Sequence, residues 1–252
     1  MIAIVLAGGL GTRLRPLTDN TSKVLLPLDG KPTINYLIDK LMEIQPPLNK
    51  ILVSTTIKYQ SQFQDWENSA GYSNISLVPD NIENGKIKLG AIRALSDVVS
   101  VFDDDLLVIA GDNLFFDDFN NIVHQYYQNK APIVALYHAK DFEDAKKGGI
   151  ALLGPTNRIL NFTEKPKFPE SLLIGACFYI FPSWIKTRLS EFVVQEINSD
   201  EPGRFISWLC EREPVFGFLL NHYVWDIGTL ESYYAANLFL KEGHNIQNKG
   251  TV

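Results

Sequence analysis

The stretch Leu6-Ala7-Gly8-Gly9-Leu10-Gly11-Thr12-Arg13-Leu14-Arg15-Pro16-Leu17-Thr18 continues directly from the apolar run Ile2–Leu6. Glycine lets the backbone adopt positive φ and approach a ligand closely, so that N–H groups can point at phosphate oxygens. Arg13 adds a planar guanidinium suited to phosphate, and Lys23 adds a mobile point charge soon afterwards. Because open α/β sheets bind ligands beyond the carboxyl ends of their strands, this loop predicts a phosphate-binding site.

Two other glycine-rich phosphate loops do not fit the sequence. A dinucleotide-binding fingerprint needs Gly-x-Gly-x-x-Gly, but Leu14 stands where its third glycine is required. A Walker A loop ends in Gly-Lys-Ser/Thr, and the comparable pair Gly30-Lys31 is followed by Pro32 and lacks a glycine at Leu25. A turn that merely ends a strand would explain a lone Gly-Gly, but the full run with Lys23 downstream favours a phosphate-binding role.

Outward from this loop, short apolar runs alternate with amphipathic segments, which is typical of βα units. Strands are predicted at Ile2–Leu6, 51–54, 76–78, Leu106–Ala110, Ile133–His138, 150–153, 159–163 and 174–181, and helices at 32–42, 60–67, 89–99, 117–128, 205–212 and Leu230–Lys241. We predict a single α/β domain over 1–252, with a mixed, mostly parallel sheet and helices on both faces. Its first half covers about 1–130, a strand-rich second half about 131–241, and a frayed polar tail 242–252.

Composition excludes several classes of protein. The chain has 252 residues, 46% of them hydrophobic, and a net charge of −6 without a basic run, which argues against nucleic-acid binding. Cys177 and Cys210 each lie in an apolar stretch and indicate thiols in a reducing compartment. The apolar start lacks the basic residues of a signal peptide, and no run approaches a membrane span, so we predict a cytoplasmic protein without a membrane partner.

The opening stretch resembles that of the sugar-1-phosphate nucleotidyltransferase family, especially its glucose-1-phosphate thymidylyltransferase-like members. Three further elements follow in the family's order: Gly111-Asp112-Asn113, Glu164-Lys165-Pro166 and Trp225-Asp226-Ile227-Gly228-Thr229. The resemblance extends from residue 2 to about residue 240. It implies a Rossmann-like, GT-A-like fold that condenses an NTP with a sugar 1-phosphate to give an NDP-sugar and pyrophosphate. Within the family, dTTP or UTP and glucose 1-phosphate are the favoured substrates.

The resemblance also implies a role for each motif residue. Arg13 and Lys23 would act on the reacting phosphates. The nucleotide would be bound by Leu6, Ala7, Gly8, Gly9, Gly11, Thr12, Arg13, Gly90 and Asp112, and the sugar phosphate by Asn113, Gly149, Glu164, Lys165 and Gly175. Asp112 and Asp226 would hold Mg²⁺. Each of these acids ends an apolar, strand-like run, so we predict that they converge at one edge of the sheet.

The sequence departs from the family in two places. Val24 follows the signature lysine, where the family usually has proline. Residues 80–88 replace the usual base-reading segment, and the family's glutamine that reads the base has no counterpart there. We therefore predict a loose preference for the base, determined around residues 80–90. The β-helix of acetyltransferase-fused relatives is absent from the sequence, so no second activity is expected.

Several alternatives stay open at this point. Asp103-Asp104-Asp105 offers the Asp-x-Asp of a glycosyltransferase that consumes an NDP-sugar, but it precedes its strand and is more typical of a solvated turn. Asp117-Asp118 is more typical of a helix cap than of a ligand pair. A non-catalytic sensor of nucleotides or sugar phosphates, a cytidylyl- or guanylyltransferase, and a phosphocholine or inositol phosphate acceptor are further alternatives. The sequence leaves open whether the chain forms a homo-oligomer.

Overall fold

The fold is organised around β1 (Ile2–Leu6), a strand of apolar residues at the middle of a mixed sheet. The structure, a computed structural model, describes residues 1–80, 91–195 and 201–242. The other strands are β2 (Pro27–Leu28), β3 (Lys31–Pro32), β4 (Lys50–Thr56), β5 (Ile75–Asp80), β6 (Leu106–Ala110), β7 (Asn113–Leu114), β8 (Ile133–His138), β9 (Gly149–Leu153), β10 (Ile159–Glu164), β11 (Leu173–Phe181), β12 (Phe216–Leu219) and β13 (Trp225–Asp226). The helices are α1 (Thr33–Met42), α2 (Gln60–Ala70), α3 (Ala91–Val99), α4 (Phe119–Asn129), α5 (Phe142–Ala145), α6 (Ile185–Gln195), α7 (Pro202–Cys210) and α8 (Leu230–Lys241).

The strand order brings the ends of distant strands to one edge. Within the described residues the main sheet runs β10-β9-β11-β6-β1-β4-β5, and β8 joins it by pairing with β11 and β12. The strands β6, β1, β4 and β5 are parallel, whereas β11 runs antiparallel to β6. Leu6 and Ala110, the last residues of β1 and β6, lie side by side. The segments that follow these two strands therefore leave the sheet together.

Both faces of the sheet are covered by helices. Side chains of β1 alternate between the faces, with Ala3 and Val5 in one hydrophobic cluster and Ile2 and Ile4 in the other. Helices α1, α2 and α4 contribute to the first cluster, and α3, α6 and α7 to the second. The predicted mixed sheet with helices on both faces is confirmed.

A third hydrophobic cluster lies beside the carboxyl edge of the sheet. It contains Leu14, Leu114 and Ile227, together with buried residues of α8. Leu14 belongs to the glycine loop, and the other two residues lie next to the Asp112 and Asp226 segments. This cluster therefore anchors the three motif segments to one another.

The predicted elements occur with shifted ends, and several elements were not predicted. The helix expected at 205–212 begins earlier, because Pro202 occupies its first turn. We did not predict β2, β3, β7, β12, α5 or α6 from the sequence. Helix α6 buries Ile185, Leu189 and Phe192, whose spacing of four and three is a helical signal that we overlooked. None of the helices in the described ranges is both long and apolar enough to cross a membrane.

Candidate active site

The glycine loop begins where β1 ends, and its shape depends on Gly11. Gly11 has left-handed backbone angles, φ 61° and ψ 34°, and precedes a 3-10 turn at Thr12–Leu14. A Cβ at Gly11 would lie 3.0 Å from the Cβ of Lys23 and from Cγ2 of Thr18. Both the backbone conformation and the space therefore require glycine. The turn leaves Arg13 exposed.

Lys23 connects the glycine loop to the end of β6. Its ammonium pairs with the carboxylate of Asp112, and a Cβ at Gly9 would lie 3.0 Å from its Nζ. Val24, which stands where the family has proline, is fully buried and packs beside Gly111. The buried valine therefore anchors the 3-10 turn Lys23–Leu25, which holds Lys23 at the edge of the sheet.

The environment of Lys23 keeps its ammonium charged. Burial by itself lowers the pKa of Lys23, but the charge of Asp112, the hydrogen bond to it, and the charge of Asp226 outweigh burial. The net effect is a pKa above the ordinary value of 10.5. A charged lysine at this position is suited to binding phosphate.

The structure brings Asp112 and Asp226 together at this edge. The short strands β7 and β13 pair antiparallel, with Asn113 opposite Asp226, and the Ile227 N–H donates to the carbonyl of Asp112 at 3.0 Å. Loss of surrounding water and then the negative charge of Asp112 raise the pKa of Asp226, while Lys23 and Arg13 act in the opposite direction. Two neighbouring carboxylates that repel each other provide a place where a cation would be stabilised.

Arg13 and Asp226 approach each other beside Gly228. A Cβ at Gly228 would lie 3.1 Å from Nη2 of Arg13 and 3.0 Å from Oδ1 of Asp226. The sequence places Gly228 in a motif, but its role was not predicted. Its missing side chain leaves the space in which the arginine approaches the carboxylate.

On the opposite side of the cleft, Glu164 ends β10. It lies opposite Gly149 of β9, and the buried ring of Phe162 packs beneath Gly149 and Gly175. Burial raises the pKa of Glu164 above its ordinary value of 4.5, an effect that Lys165 partly opposes. The predicted residues Gly149, Glu164 and Gly175 therefore surround one small region in the second half of the chain.

Lys165 leaves β10 with positive φ, 46°, and its N–H donates to the carbonyl of Gly148 at 3.0 Å. Its ammonium pairs with Glu201, and lies 3.8 Å from Oε1 of Glu164. Glu201 in turn pairs with Arg204 at 3.0 Å. The lysine is therefore held beside Glu164 by a residue that the sequence did not single out.

Asn113 connects the two sides of the cleft. Its side chain is buried and its amide donates to the carbonyl of Ala176 at 3.1 Å. Ala176 lies in an irregular part of β11, next to Cys177, which has φ of 48°. Burial raises the pKa of Cys177 to about 12, so this thiol stays protonated at neutral pH. The structure thus shows Asn113 supporting β11, and its predicted contact with substrate stays a prediction.

The remaining predicted residues are placed as follows. Ala7 is buried, Leu6 and Gly8 are half-buried, and Gly9 and Thr12 are exposed beside the loop. Gly90, with the rest of the predicted base-reading segment 81–90, lies outside the described residues. Sequence reasoning missed Phe162, Cys177, Glu201, Gly203 and Gly228 as residues of the cleft. A Pro-Gly pair at the start of a helix was the one signal that could have pointed to Gly203.

The competing acidic clusters lie elsewhere. Asp103, Asp104 and Asp105 precede β6, at the opposite end from Asp112, where Asp103 pairs with Lys186 and Asp105 accepts from the backbone N–H of Ser183 at 3.0 Å. They lie in an irregular loop, as far from the glycine loop as predicted, but only Asp103 is exposed as a solvated turn would be, because Asp104 and Asp105 are half-buried.

Asp117 and Asp118 have separate structural roles. Asp118 caps α4 by accepting from the Asn120 N–H at 2.9 Å, as predicted. Asp117 is buried and instead accepts from the N–H groups of Asn221 and His222, which fixes the chain before β13.

The raised pKa of Glu164 leads to a prediction about stability. Because the folded protein holds a proton at Glu164 more readily than the unfolded chain, the stability present below the ordinary pKa of 4.5 is lost as pH rises through the raised pKa. Glu164→Gln is therefore expected to increase the free energy of unfolding at about pH 7, with a smaller gain at about pH 4. Urea unfolding at the two pH values measures this. The exposed control Glu143→Gln should show no such gain, and a Glu164→Gln protein that is less stable at pH 7 would contradict the expectation.

The loop, the paired acids and the sheet edge define a class of α/β protein that binds nucleotide phosphates. The sequence profile of the family described as nucleotidyl transferase matches residues 2–243. The chain belongs to this family. In the described ranges, no group of three or more histidine, cysteine or acidic side chains could hold a metal ion. The role of Asp112 and Asp226 as metal ligands stays a prediction.

Individual relatives agree with this assignment. The chain is 31% identical over its whole length to the bifunctional protein GlmU of Methanocaldococcus jannaschii, and it spans 57% of that relative's length. It is 30% identical to the UTP–glucose-1-phosphate uridylyltransferase AglF of Haloferax volcanii, over 72% of each chain.

Solved structures share the fold. A putative glucose-1-phosphate thymidylyltransferase from Bacillus anthracis matches with a TM-score of 0.81 and 24% identity, over 100% of this chain and 98% of that one. A UDP-glucose pyrophosphorylase solved with UDP-glucose matches with a TM-score of 0.81 and 20% identity, over 96% of this chain and 99% of that one. At these identities the likeness concerns the fold alone.

Proposed function

We propose that this chain transfers a nucleotidyl group from an NTP to a sugar 1-phosphate, forming an NDP-sugar and pyrophosphate. The observation that carries the proposal is the position of Lys23. Its ammonium lies between the glycine loop and the Asp112–Asp226 pair. Lys165, which lies beside Glu164, is close enough for its charge to act on Asp226. Lys23 can bind the phosphates of one substrate, and Lys165 can bind the phosphate of a second substrate. Two cationic sites of this kind suit the joining of two phosphorylated substrates.

The reaction is an in-line displacement at the α-phosphorus. A phosphate oxygen of the sugar 1-phosphate forms the new bond, the bond from the α-phosphorus to the bridging oxygen breaks, and pyrophosphate leaves with that oxygen. Backbone N–H groups of the loop, Arg13 and Lys23 would neutralise the triphosphate. Holding two anions in this arrangement can supply about 7–11 kcal/mol of the barrier.

The pair Asp112 and Asp226 fits Mg²⁺. Mg²⁺ prefers one or two carboxylates completed by substrate phosphates. In the structure, the ammonium of Lys23 lies in the region of negative potential that the two carboxylates create. When bound there, the ion would supply further neutralisation of the phosphate charge. Asp112 and Asp226 would hold it, while Lys23 would move to the triphosphate.

The acceptor side suits a sugar phosphate. An ionised Glu164 can only accept hydrogen bonds, and the hydroxyl groups of a sugar donate them. The ammonium of Lys165, which lies beside Glu164, would pair with the phosphate group of the sugar 1-phosphate. The name of the Haloferax volcanii relative supports glucose 1-phosphate with UTP, and the resemblance of the opening motif adds dTTP. A glucose-1-phosphate adenylyltransferase of Lachnospira eligens is also 26% identical over 95% of this chain, so all bases belong in the test.

A loose base preference is predicted for this enzyme. Residues 80–88 offer no glutamine that could read the base. Measured kcat/KM values for the four NTPs are expected to differ by less than about a thousandfold, since that ratio needs about 4 kcal/mol of specific discrimination. A larger preference for one NTP would contradict the prediction.

The experiment that tests the function is a pyrophosphate-release screen. Each of the four NTPs is mixed with Mg²⁺ and with glucose 1-phosphate, other sugar 1-phosphates, phosphocholine or inositol phosphate. Release with a sugar 1-phosphate, and not with buffer alone, is expected. Activity confined to phosphocholine or inositol phosphate, or glycosyl transfer from an NDP-sugar without pyrophosphate release, would overturn the proposal.

A further inference from the structure

Gly203, in the first turn of α7, has no role in the chemistry described above. Glycine within a helix usually lowers stability relative to alanine, so its presence at a buried position calls for a spatial reason. A Cβ at Gly203 would overlap Oε2 of Glu164 and lie 2.8 Å from the Cδ of that residue. The bare Cα of Gly203 therefore faces the Glu164 carboxylate directly.

The Glu164 carboxylate lies in a slot between two glycines from different elements. On the β9 side, a Cβ at Gly149 would lie 2.9 Å from Oε2 of Glu164. On the α7 side, Gly203 closes the slot, and the ring of Phe162 lies beneath both glycines. Backbone on two sides and an aromatic ring below leave the carboxylate little freedom to rotate.

Polar contacts hold Glu164 less firmly than this packing does. Among the described residues its charged partner is Lys165, at 3.8 Å, and the side chain is only 16% exposed. Lys165 is itself paired with Glu201, the residue that precedes α7. The first turn of α7 thus contacts both members of the Glu164–Lys165 pair.

We propose that Gly203 is a positioning residue of the acceptor site: its missing side chain makes the slot that directs the Glu164 carboxylate toward the sugar hydroxyls. The inference rests on the proposed function, because it assigns Glu164 to the acceptor. A side chain at position 203 would push the carboxylate out of the slot. The nucleotide loop and the Asp112–Asp226 pair would be untouched, since they belong to other segments.

Steady-state kinetics of Gly203→Ala test this proposal. The KM for the sugar 1-phosphate is expected to rise roughly tenfold or more, because displacements of about 1 Å in a positioned group have effects of this size or larger. The KM for the NTP is expected to stay within about twofold of the wild-type value. A purely structural defect would lower the amount of active protein without separating the two KM values.

Gly154→Ala is the matched control. It makes the same exchange in the same half of the chain, where the three atoms nearest to the new Cβ belong to the exposed side chain of Leu160. Wild-type turnover is measured first, and its absence with every sugar 1-phosphate would overturn the function and this inference together. If the wild type is active and Gly203→Ala behaves like Gly154→Ala, the function stands and the inference is wrong.

A double variant covers the case in which Gly203→Ala does not fold. In Glu164→Ala/Gly203→Ala the clashing carboxylate is gone, and alanine favours the helix. Thermal unfolding should show this double variant to be folded and at least as stable as Glu164→Ala. A double variant that also fails to fold would overturn the proposal, because Gly203 would then be required for a reason other than Glu164.

Discussion

Lys23→Ala is expected to lower turnover by at least about a hundredfold while the protein stays folded. The ammonium is the cation that reaches the glycine loop, Asp112 and Asp226 together, and alanine leaves the phosphates without it. The side chain is not part of the hydrophobic core, so circular dichroism should still show a folded protein, although the melting temperature should fall because Asp112 and Asp226 lose their cation. Arg13→Ala is expected to have an effect of similar size, since the guanidinium lies exposed beside Asp226.

Neighbouring cations provide the controls for these two variants. Lys186→Ala removes a lysine that is also in an ion pair with an aspartate, but at the opposite end of β6. Arg15→Ala removes an exposed arginine two positions from Arg13, which pairs with Asp19 at 3.4 Å. Both controls should retain near-normal kcat/KM. Near-normal kcat/KM in Lys23→Ala and Arg13→Ala as well would show that this loop is not the triphosphate site.

Asp112→Asn and Asp226→Asn are each expected to reduce turnover by about a hundredfold or more and to weaken the dependence on Mg²⁺. The two carboxylates lie on paired strands, and removal of one charge leaves the other too weak to hold the ion. Binding of the sugar 1-phosphate should weaken less than turnover, because its predicted contacts, Glu164 and Lys165, lie across the cleft.

Asp103→Asn is the matched control and also tests the glycosyltransferase alternative. Asp103 precedes the same strand, β6, that Asp112 follows. If Asp103→Asn abolishes metal-dependent turnover and Asp112→Asn does not, the acidic cluster at the other end of the strand holds the ion. A structure with NTP and Mg²⁺ in which the Asp112 and Asp226 carboxylates lie more than about 8 Å apart would also exclude a shared ion, given ligand distances of about 2.0–2.1 Å.

The parts of the site that could be predicted are local in sequence. The glycine loop joins a strand to Arg13 and Lys23 within a short segment, so backbone rules and residue chemistry identify it. The convergence of Asp112 and Asp226 was predicted from strand ends that meet at one edge of the sheet. In the structure β13 is only two residues long and reaches Asp112 by pairing antiparallel with β7, outside the main sheet.

The parts that could not be predicted depend on tertiary packing. Gly203 meets Glu164 only because α7 packs against β10. The Pro202-Gly203 pair indicates the start of a helix but does not indicate that approach. The need for glycine at position 228 likewise depends on a tertiary contact, because Arg13 approaches the position that a Cβ would occupy. Asn113 was predicted to contact substrate from its motif, whereas the structure shows its amide donating to Ala176.

The most direct test of nucleotidyl transfer determines which product receives the α-phosphate of the NTP and which receives the γ-phosphate. The wild-type protein is incubated with Mg²⁺, glucose 1-phosphate and UTP or dTTP that carries a radiolabel at either the α- or the γ-phosphate, and the products are separated. Attack at the α-phosphorus predicts that the α-label appears in the NDP-sugar and the γ-label in pyrophosphate. Label from the γ-position in the sugar product, or release of the γ-label as inorganic phosphate without an NDP-sugar, would contradict the account.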